Sequence, residues 1–249
     1  MDATKSPRKG GTRVAVVRAA REGRGVTTGV VLTAVVLIAL VVAVAIFVGA
    51  TKRSHDHAEE ERAAAEAPPS VFTDRGTLRF GDPAAATVLT VSTDFACPSC
   101  RTFAQTSDTA LADLTRTGKV AVEYDLVAIV GGADHYSARA ANASACVAAS
   151  DKDAWPAWYR SMFDQQPAKD SPGMSDDHMV DLATRAGASA PEVATCIHAN
   201  RYQQFVTAHT DKVVAAGLNH TPTVRIGDRV VENLTPDGLR AAVDRAAAK

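Results

Sequence analysis

Val88-Leu-Thr-Val-Ser-Thr-Asp-Phe-Ala-Cys-Pro-Ser-Cys100 changes character halfway along its length. Its first half is a short β-branched apolar run, the mark of a buried strand. Asp94 and Phe95 break that pattern, and Cys97-Pro98-Ser99-Cys100 opens a segment that reads as a helix. Phe103, Ala104, Leu111 and Leu114 fall at helical spacing, and Gly118 provides a natural stop. Two cysteines two residues apart, where a strand turns into a helix, suit reversible dithiol chemistry. At a helix N-terminus, unpaired N–H groups and the helix dipole favour an anion, so the Cys97 thiol should ionise easily. Pro98 fits the first turn because the N–H it lacks has no helical partner there. Cys100, one turn in, faces back toward Cys97.

A Cys-x-x-Cys is also half of a zinc site. Here Cys146 and Cys196 lie far off and singly, and no nearby His-x-x-x-His supplies the other ligands. The spacing therefore favours redox chemistry over a metal, with an inert structural disulfide as the remaining reading.

Outward from this stretch, the charge is unevenly placed. The net charge is −1, yet residues 1–50 carry seven Lys/Arg against two Asp/Glu, while residues 51–249 carry 20 against 26. A basic head on a mildly acidic body does not describe a nucleic-acid binder; it describes membrane topology. Between Arg24 and Lys52 there is no charge, and Val30 to Ala50 is almost wholly apolar. A bilayer is spanned by about 20 apolar helical residues, so this run is long enough. Lys5, Arg8, Lys9, Arg13, Arg18, Arg21 and Arg24 precede it, whereas Lys52 and Arg53 are soon followed by Asp56 and Glu59. The positive-inside bias keeps residues 1–25 in the cytoplasm, makes 26–50 a transmembrane anchor and exports the rest. A cleaved signal peptide has a shorter apolar core of about 7–15 residues, although Val48-Gly49-Ala50 is a conceivable cleavage site. Residues 51–70, charged and ending in Pro68-Pro69, read as a stalk.

The globular part spans 71–249. Thr77–Phe80, Thr87–Ser92 and Val120–Ala128 read as strands, the last two joined through a helix as a parallel crossover. Strand signals then stop. Helical patterns occupy Ser137–Ser150, Ala154–Phe163 with its Trp155, Trp158, Tyr159 and Phe163, and Asp176–Ala186. Ser189-Ala-Pro-Glu192 looks like a capping box opening a further helix, and a last one leads to Gly217. Thr223–Ile226 and Arg229–Glu232 read as a hairpin closed by Gly227-Asp228, and Thr235-Pro236 starts a C-terminal helix. The outline is an α/β sheet split by a helical insertion at about 135–217.

Over Thr77 to Ala247 the chain resembles the DsbA-type thiol oxidoreductases, actinobacterial ones included. Gly81-Asp82-Pro83-Ala84 resembles the family's lead-in, and Asp94 to Cys100 its active site. Ser137 to Cys146 resembles the first inserted helix, Trp158–Phe163 the segment after it, and Thr221-Pro222-Thr223 the loop bearing a cis-proline. The resemblance implies a thioredoxin-like fold with an inserted α-helical domain, preceded here by one N-terminal transmembrane helix. It implies a cis peptide bond before Pro222, a Cys97–Cys100 redox pair flanked by Pro98 and Ser99, and a Thr221 backbone that pairs with an extended substrate. Cys97 is then the attacked sulfur and Cys100 the resolving thiol. No organic cofactor or metal is implied. The partners implied are exported proteins with reduced cysteines and a quinone-linked membrane protein, DsbB-like or vitamin-K-epoxide-reductase-like. The activity implied is extracytoplasmic oxidation of cysteine pairs in exported proteins through a Cys97–Cys100 disulfide; a reductase or isomerase on the same scaffold is the first alternative, and a non-catalytic metal- or thiol-binding module the second.

Two positions depart from the pattern. Relatives often carry a buried acid six residues before the first cysteine, where this chain has Val91. Proton transfer at Cys100 then falls to water, Asp94 or another side chain, unless Asp94 is an ordinary turn residue. His220 stands where many relatives have a small residue. It either modulates the Cys97 thiolate or is a solvent-facing loop residue. Cys146 and Cys196, fifty residues apart on alanine-rich helices, are expected to form a structural disulfide in an oxidising compartment, the alternative being two buried thiols. His135, His178, His198 and His209 have no partner visible in the sequence.

Overall fold

The computed structural model describes residues 23–169 and 171–248. The basic residues Lys5 to Arg21 lie outside that range. A first helix, α1 (Gly23–Glu66), runs without a proline until Pro68-Pro69 ends it. Its stretch Leu32–Gly49, with mean hydropathy 3.0, is long and apolar enough to cross a membrane. The residues expected to form a stalk begin inside this same helix. The chain divides into a first compact unit ending at Glu60 and a second beginning at Glu61, and the second holds all five described strands.

That second unit is a mixed sheet of β1 (Leu78–Phe80), β2 (Thr87–Thr93), β3 (Val120–Leu126), β4 (Thr223–Ile226) and β5 (Arg229–Val230), in the order β1-β3-β2-β4-β5. Between β2 and β3 runs α2 (Pro98–Arg116). The two strands pair in parallel from Thr87 opposite Val120 to Thr93 opposite Leu126. All seven residues of β3 are buried, as its near-continuous apolar run requires of a strand covered on both faces. β4 joins β2 antiparallel, and β5 pairs with β4. β5 is shorter than its sequence pattern predicts. Val231 still donates to the Val224 carbonyl at 2.8 Å, but the chain then leaves the edge. Asn233 Oδ1 instead accepts the Thr235 N–H and hydroxyl ahead of α8 (Pro236–Ala247).

Among the described residues, five α-helices lie between β3 and β4: α3 (Tyr136–Ser150), α4 (Trp155–Asp164), α5 (Asp176–Ala186), α6 (Ala190–His198) and α7 (Gln203–Ala215). α3 is buried almost all round because its alanines let α4, α5, α6 and α7 pack close to it. Cys146 on α3 and Cys196 on α6 are joined in a disulfide. The capping box expected at Ser189 is not formed, and that side chain caps nothing. Glu192 is drawn away from its helix, where its carboxylate accepts the Ser150 hydroxyl at 3.4 Å. α7 is held to the sheet by a buried polar contact. Asp125 accepts the Ser92 hydroxyl at 2.6 Å and meets His209 Nε2 at 2.6 Å.

α4 does the most to place the cysteines. Trp155, Trp158, Tyr159 and Phe163 recur on one face, and all are fully buried. The last three surround Phe95, with ring centroids 5.5, 5.8 and 5.2 Å away. Phe95 sits in the turn between β2 and α2, so this aromatic cluster pins the turn that carries Cys97.

Phe95→Ala leaves a cavity in that cluster and should lower stability by about 3–5 kcal/mol, read from urea unfolding. Replacing Cys146 and Cys196 together by Ala, which frees a long loop in the unfolded chain, should cost about 2–4 kcal/mol in the same measurement.

Candidate active site

The site begins where β2 runs out. Asp94 is fully buried, and its carboxylate accepts the Ala96 N–H at 2.8 Å, the Val130 N–H at 2.8 Å and the Ser137 hydroxyl at 2.7 Å. One side chain thus shapes its own turn and ties it to the loop after β3 and to α3. Burial raises its pKa despite those three donors. Its hydrogen bonds are those of a structural clamp set beside the cysteine pair.

Cys97 is the N-cap of α2, with extended backbone, and Pro98 takes the first helical position. The Cys97 carbonyl accepts the N–H groups of Cys100 at 3.1 Å and Arg101 at 3.2 Å, which anchors the first turn. The same carbonyl and that of Phe95 accept both amide hydrogens of Gln166 Nε2, at 3.0 and 2.8 Å. Gln166 is buried and belongs to the site, although nothing in its irregular segment marks it in the sequence. Ser99 lies on the outer side of the turn and is exposed.

Both cysteines are reduced. Cys100 is fully buried, whereas Cys97 retains 7% exposure. The Cys97 thiol lies 3.3 Å from the carbonyl oxygen of Thr221, and the Thr221–Pro222 peptide bond is cis. The structure therefore brings together Cys97, Cys100, Thr221 and Pro222 across more than half the domain. The Cys97 pKa is lowered from 9.0 to about 5. The chief cause is the Cys100 thiol donating to its sulfur; the Thr221 side chain and the Ser99 and Cys100 N–H groups add to it, against burial. Cys100 moves the opposite way, raised by burial and then by its neighbour Cys97. One thiol of the pair is thus ready to ionise and the other is held as a thiol.

His220 is exposed, and its Nδ1 pairs with Asn219 Oδ1 at 2.7 Å. It lines, with Ser99, Thr102, Phe103, Pro222 and Leu234, a groove of about 720 Å³ alongside the cysteines. Three of the four histidines without a visible partner prove to have one: His178 meets Gln165, His198 meets Asp177 and His209 meets Asp125. Each bond joins separate elements, and so no local signal announces it. Among the described residues, no group of three or more His, Cys, Asp or Glu side chains is arranged to hold a metal ion.

Comparison with known proteins agrees with this geometry. The family model described as Thioredoxin matches residues 73–245. No curated protein matches the sequence significantly. Among solved structures, reduced DsbA from Mycobacterium tuberculosis is 28% identical with a TM-score of 0.60, over 70% of this chain and 93% of that one. The reduced disulfide oxidoreductase DsbG of the same organism is 26% identical with a TM-score of 0.62, over 76% of this chain and 92% of that one. Oxidised BdbD from Bacillus subtilis, at 21% identity and a TM-score of 0.61 over 72% of this chain and 95% of that one, shares the fold. With a matched sequence model, a mixed sheet interrupted by helices and a Cys-Pro-Ser-Cys turn facing a cis-proline, the chain belongs to the thioredoxin family, with the architecture of its DsbA-type thiol–disulfide oxidoreductases.

Proposed function

We propose that this protein is anchored by α1 with its thioredoxin-like domain outside the cytoplasm, where it oxidises cysteine pairs in exported proteins. The observation that carries the reading is the Cys97 sulfur, set at the N-terminus of α2 and facing the cis-proline loop, where its pKa is lowered. A sulfur that is stable as a thiolate is a good leaving group, and its stabilisation favours the reduced enzyme, which makes the disulfide form an oxidant. A substrate thiolate attacks Cys97 of the Cys97–Cys100 disulfide, Cys100 leaves, and a second substrate thiolate displaces Cys97. The substrate leaves with the new disulfide and the enzyme keeps two electrons. An extended substrate has the cis-proline loop beside Cys97 to pair with. The electrons pass to a membrane redox partner, DsbB-like or vitamin-K-epoxide-reductase-like. The anchor reading is supported by the apolar stretch Leu32–Gly49 and by the basic residues that precede it in the sequence.

Equilibration with glutathione tests the direction: a reduction potential of about −120 mV is expected, whereas about −270 mV assigns the protein to the reductants. In intact cells, Cys100→Ala should accumulate mixed disulfides with exported proteins and Cys97→Ala should not, as read on non-reducing gels.

The thiolate has a consequence for stability as well. Between pH 5 and 9 Cys97 is ionised in the folded reduced protein but protonated in the unfolded chain, given a shift from 9.0 to about 5. Reduced protein should therefore become more stable as pH rises through that window, and should lose the gain as pH falls through about 5. Cys97→Ser should flatten this dependence in denaturant midpoints measured across the range.

A further inference from the structure

The groove beside the cysteines contains one group that can carry a charge. Its walls come from α2, from the cis-proline loop and from the segment that enters α8. Phe103, Pro222, Leu234 and Pro236 make it largely apolar, and serine and threonine hydroxyls supply most of the rest. Of the described residues that line it, His220 alone is ionisable. The groove is continuous with the reacting sulfur. Ser99 belongs to the Cys-Pro-Ser-Cys turn, and the Thr221 carbonyl lies 3.3 Å from the Cys97 thiol. A substrate cysteine that reaches Cys97 therefore lays its neighbouring residues along this groove.

Two hydrogen bonds hold the histidine. The Thr223 hydroxyl donates to its carbonyl at 2.8 Å, and its Nδ1 lies 2.7 Å from Asn219 Oδ1. An amide oxygen can only accept, so Nδ1 is the donor and keeps its proton. Any change of charge then falls on Nε2, which has no hydrogen-bond partner among the described residues. Neutral, that atom is an acceptor; protonated, it is a donor on a cation. Histidine is the side chain whose ordinary titration falls between about pH 5 and 8.

The ionisable groups of the surrounding elements are engaged elsewhere or lie outside the groove. Cys97, on α2, faces the Thr221 carbonyl. Arg101 on α2 and Lys212 on α7 are exposed and do not line it. On α8, Asp237 pairs with Arg240 at 3.1 Å, and on β4 Arg225 donates to the Asp228 carbonyl at 3.4 Å. Glu232 borders a different cleft.

We propose that His220 is a specificity-determining residue which, when protonated, favours substrates that carry an acidic side chain beside the reacting cysteine. The proposal rests on the disulfide-exchange reading above. The imidazolium is the only charge in a groove of low polarity. A carboxylate laid along it gains an ion pair, whereas an amide of the same shape does not. Deprotonation removes that distinction and returns the groove to a neutral surface. The bonds made and broken are those of the exchange itself: two substrate thiols are oxidised to a disulfide as the Cys97–Cys100 disulfide is reduced to two thiols.

The test uses oxidised full-length protein in detergent and two peptides, each with a pair of cysteines, that differ only in having Glu or Gln beside the cysteines. Acid quenching and mass spectrometry give the single-turnover oxidation rate of each peptide at about pH 5.5 and about pH 8.5. The readout is the Glu-to-Gln rate ratio, in which general effects of pH and folding cancel. At the lower pH this ratio should be about threefold higher for the unaltered protein than for His220→Gln, the scale of an exposed ion pair. At the higher pH the two ratios should coincide. His220→Lys, charged throughout, should keep the raised ratio at both. The same ratio in all three proteins overturns the proposal. So does an excess in the unaltered protein that persists at the higher pH, which marks shape and not charge. Should His220→Gln fail to fold, the pH dependence of the unaltered protein's ratio, set against that of His220→Lys, decides. If the unaltered protein oxidises neither peptide, the exchange reading falls and takes the specificity with it; oxidation of both with no dependence on His220 overturns the specificity alone.

Discussion

A single sulfur, held at the start of α2 between helix N–H groups and the carbonyl of Thr221, sets the demands that the surrounding structure meets. For Cys97 to be stable as an anion, its donors must stay aimed at it, because in a buried site little water is at hand to replace a misplaced dipole. Three separate restraints keep the turn in place. Phe95 is gripped by the aromatic face of α4, Asp94 knots the turn to the loop after β3, and Gln166 holds the carbonyls of Phe95 and Cys97. None of the three touches the reacting bond. They supply rigidity, and the sulfur chemistry follows from it.

The helical insertion has a physical reason to exist in these terms. A bare sheet with one helix on the α4 side offers no aromatic face to Phe95 and no Gln166. α3, mostly alanine and serine where it is buried, is the small-diameter post around which α4 to α7 assemble. The Cys146–Cys196 bond fastens that post to α6. The same insertion packs α4 against α2, where Arg160 meets Asp108, so the element that grips Phe95 also braces the helix that carries both cysteines.

The pair is asymmetric by design of its surroundings. Cys97 and Cys100 have identical side chains and differ by one helical turn, yet their pKa values are driven apart. Each thiol contributes to the other's shift, since a proton shared between two sulfurs stabilises one anion and not two. Depth decides which sulfur carries the charge: Cys97 reaches solvent and Cys100 does not.

Local pattern was enough for much of this. The β-branched run at Thr87–Thr93, the helix opened by Pro98, the hairpin turn at Gly227 and the aromatic spacing on α4 are short-range signals, and an element forms at each. The Cys-Pro-Ser-Cys turn and the Thr-Pro pair likewise identify themselves by residue type. Contacts between distant segments were not legible. Gln166 lies in an irregular stretch, Glu192 abandons its own helix for Ser150, and His209 finds Asp125 from the far side of the insertion. A hydrogen bond between side chains tens of residues apart leaves no period in either segment, because its partners are selected by the packing of whole elements. So the chain alone determined the elements, the cysteine motif and the apolar N-terminal run. Only the tertiary structure decided which sulfur is buried and what steadies the turn, since those depend on depth and direction in space.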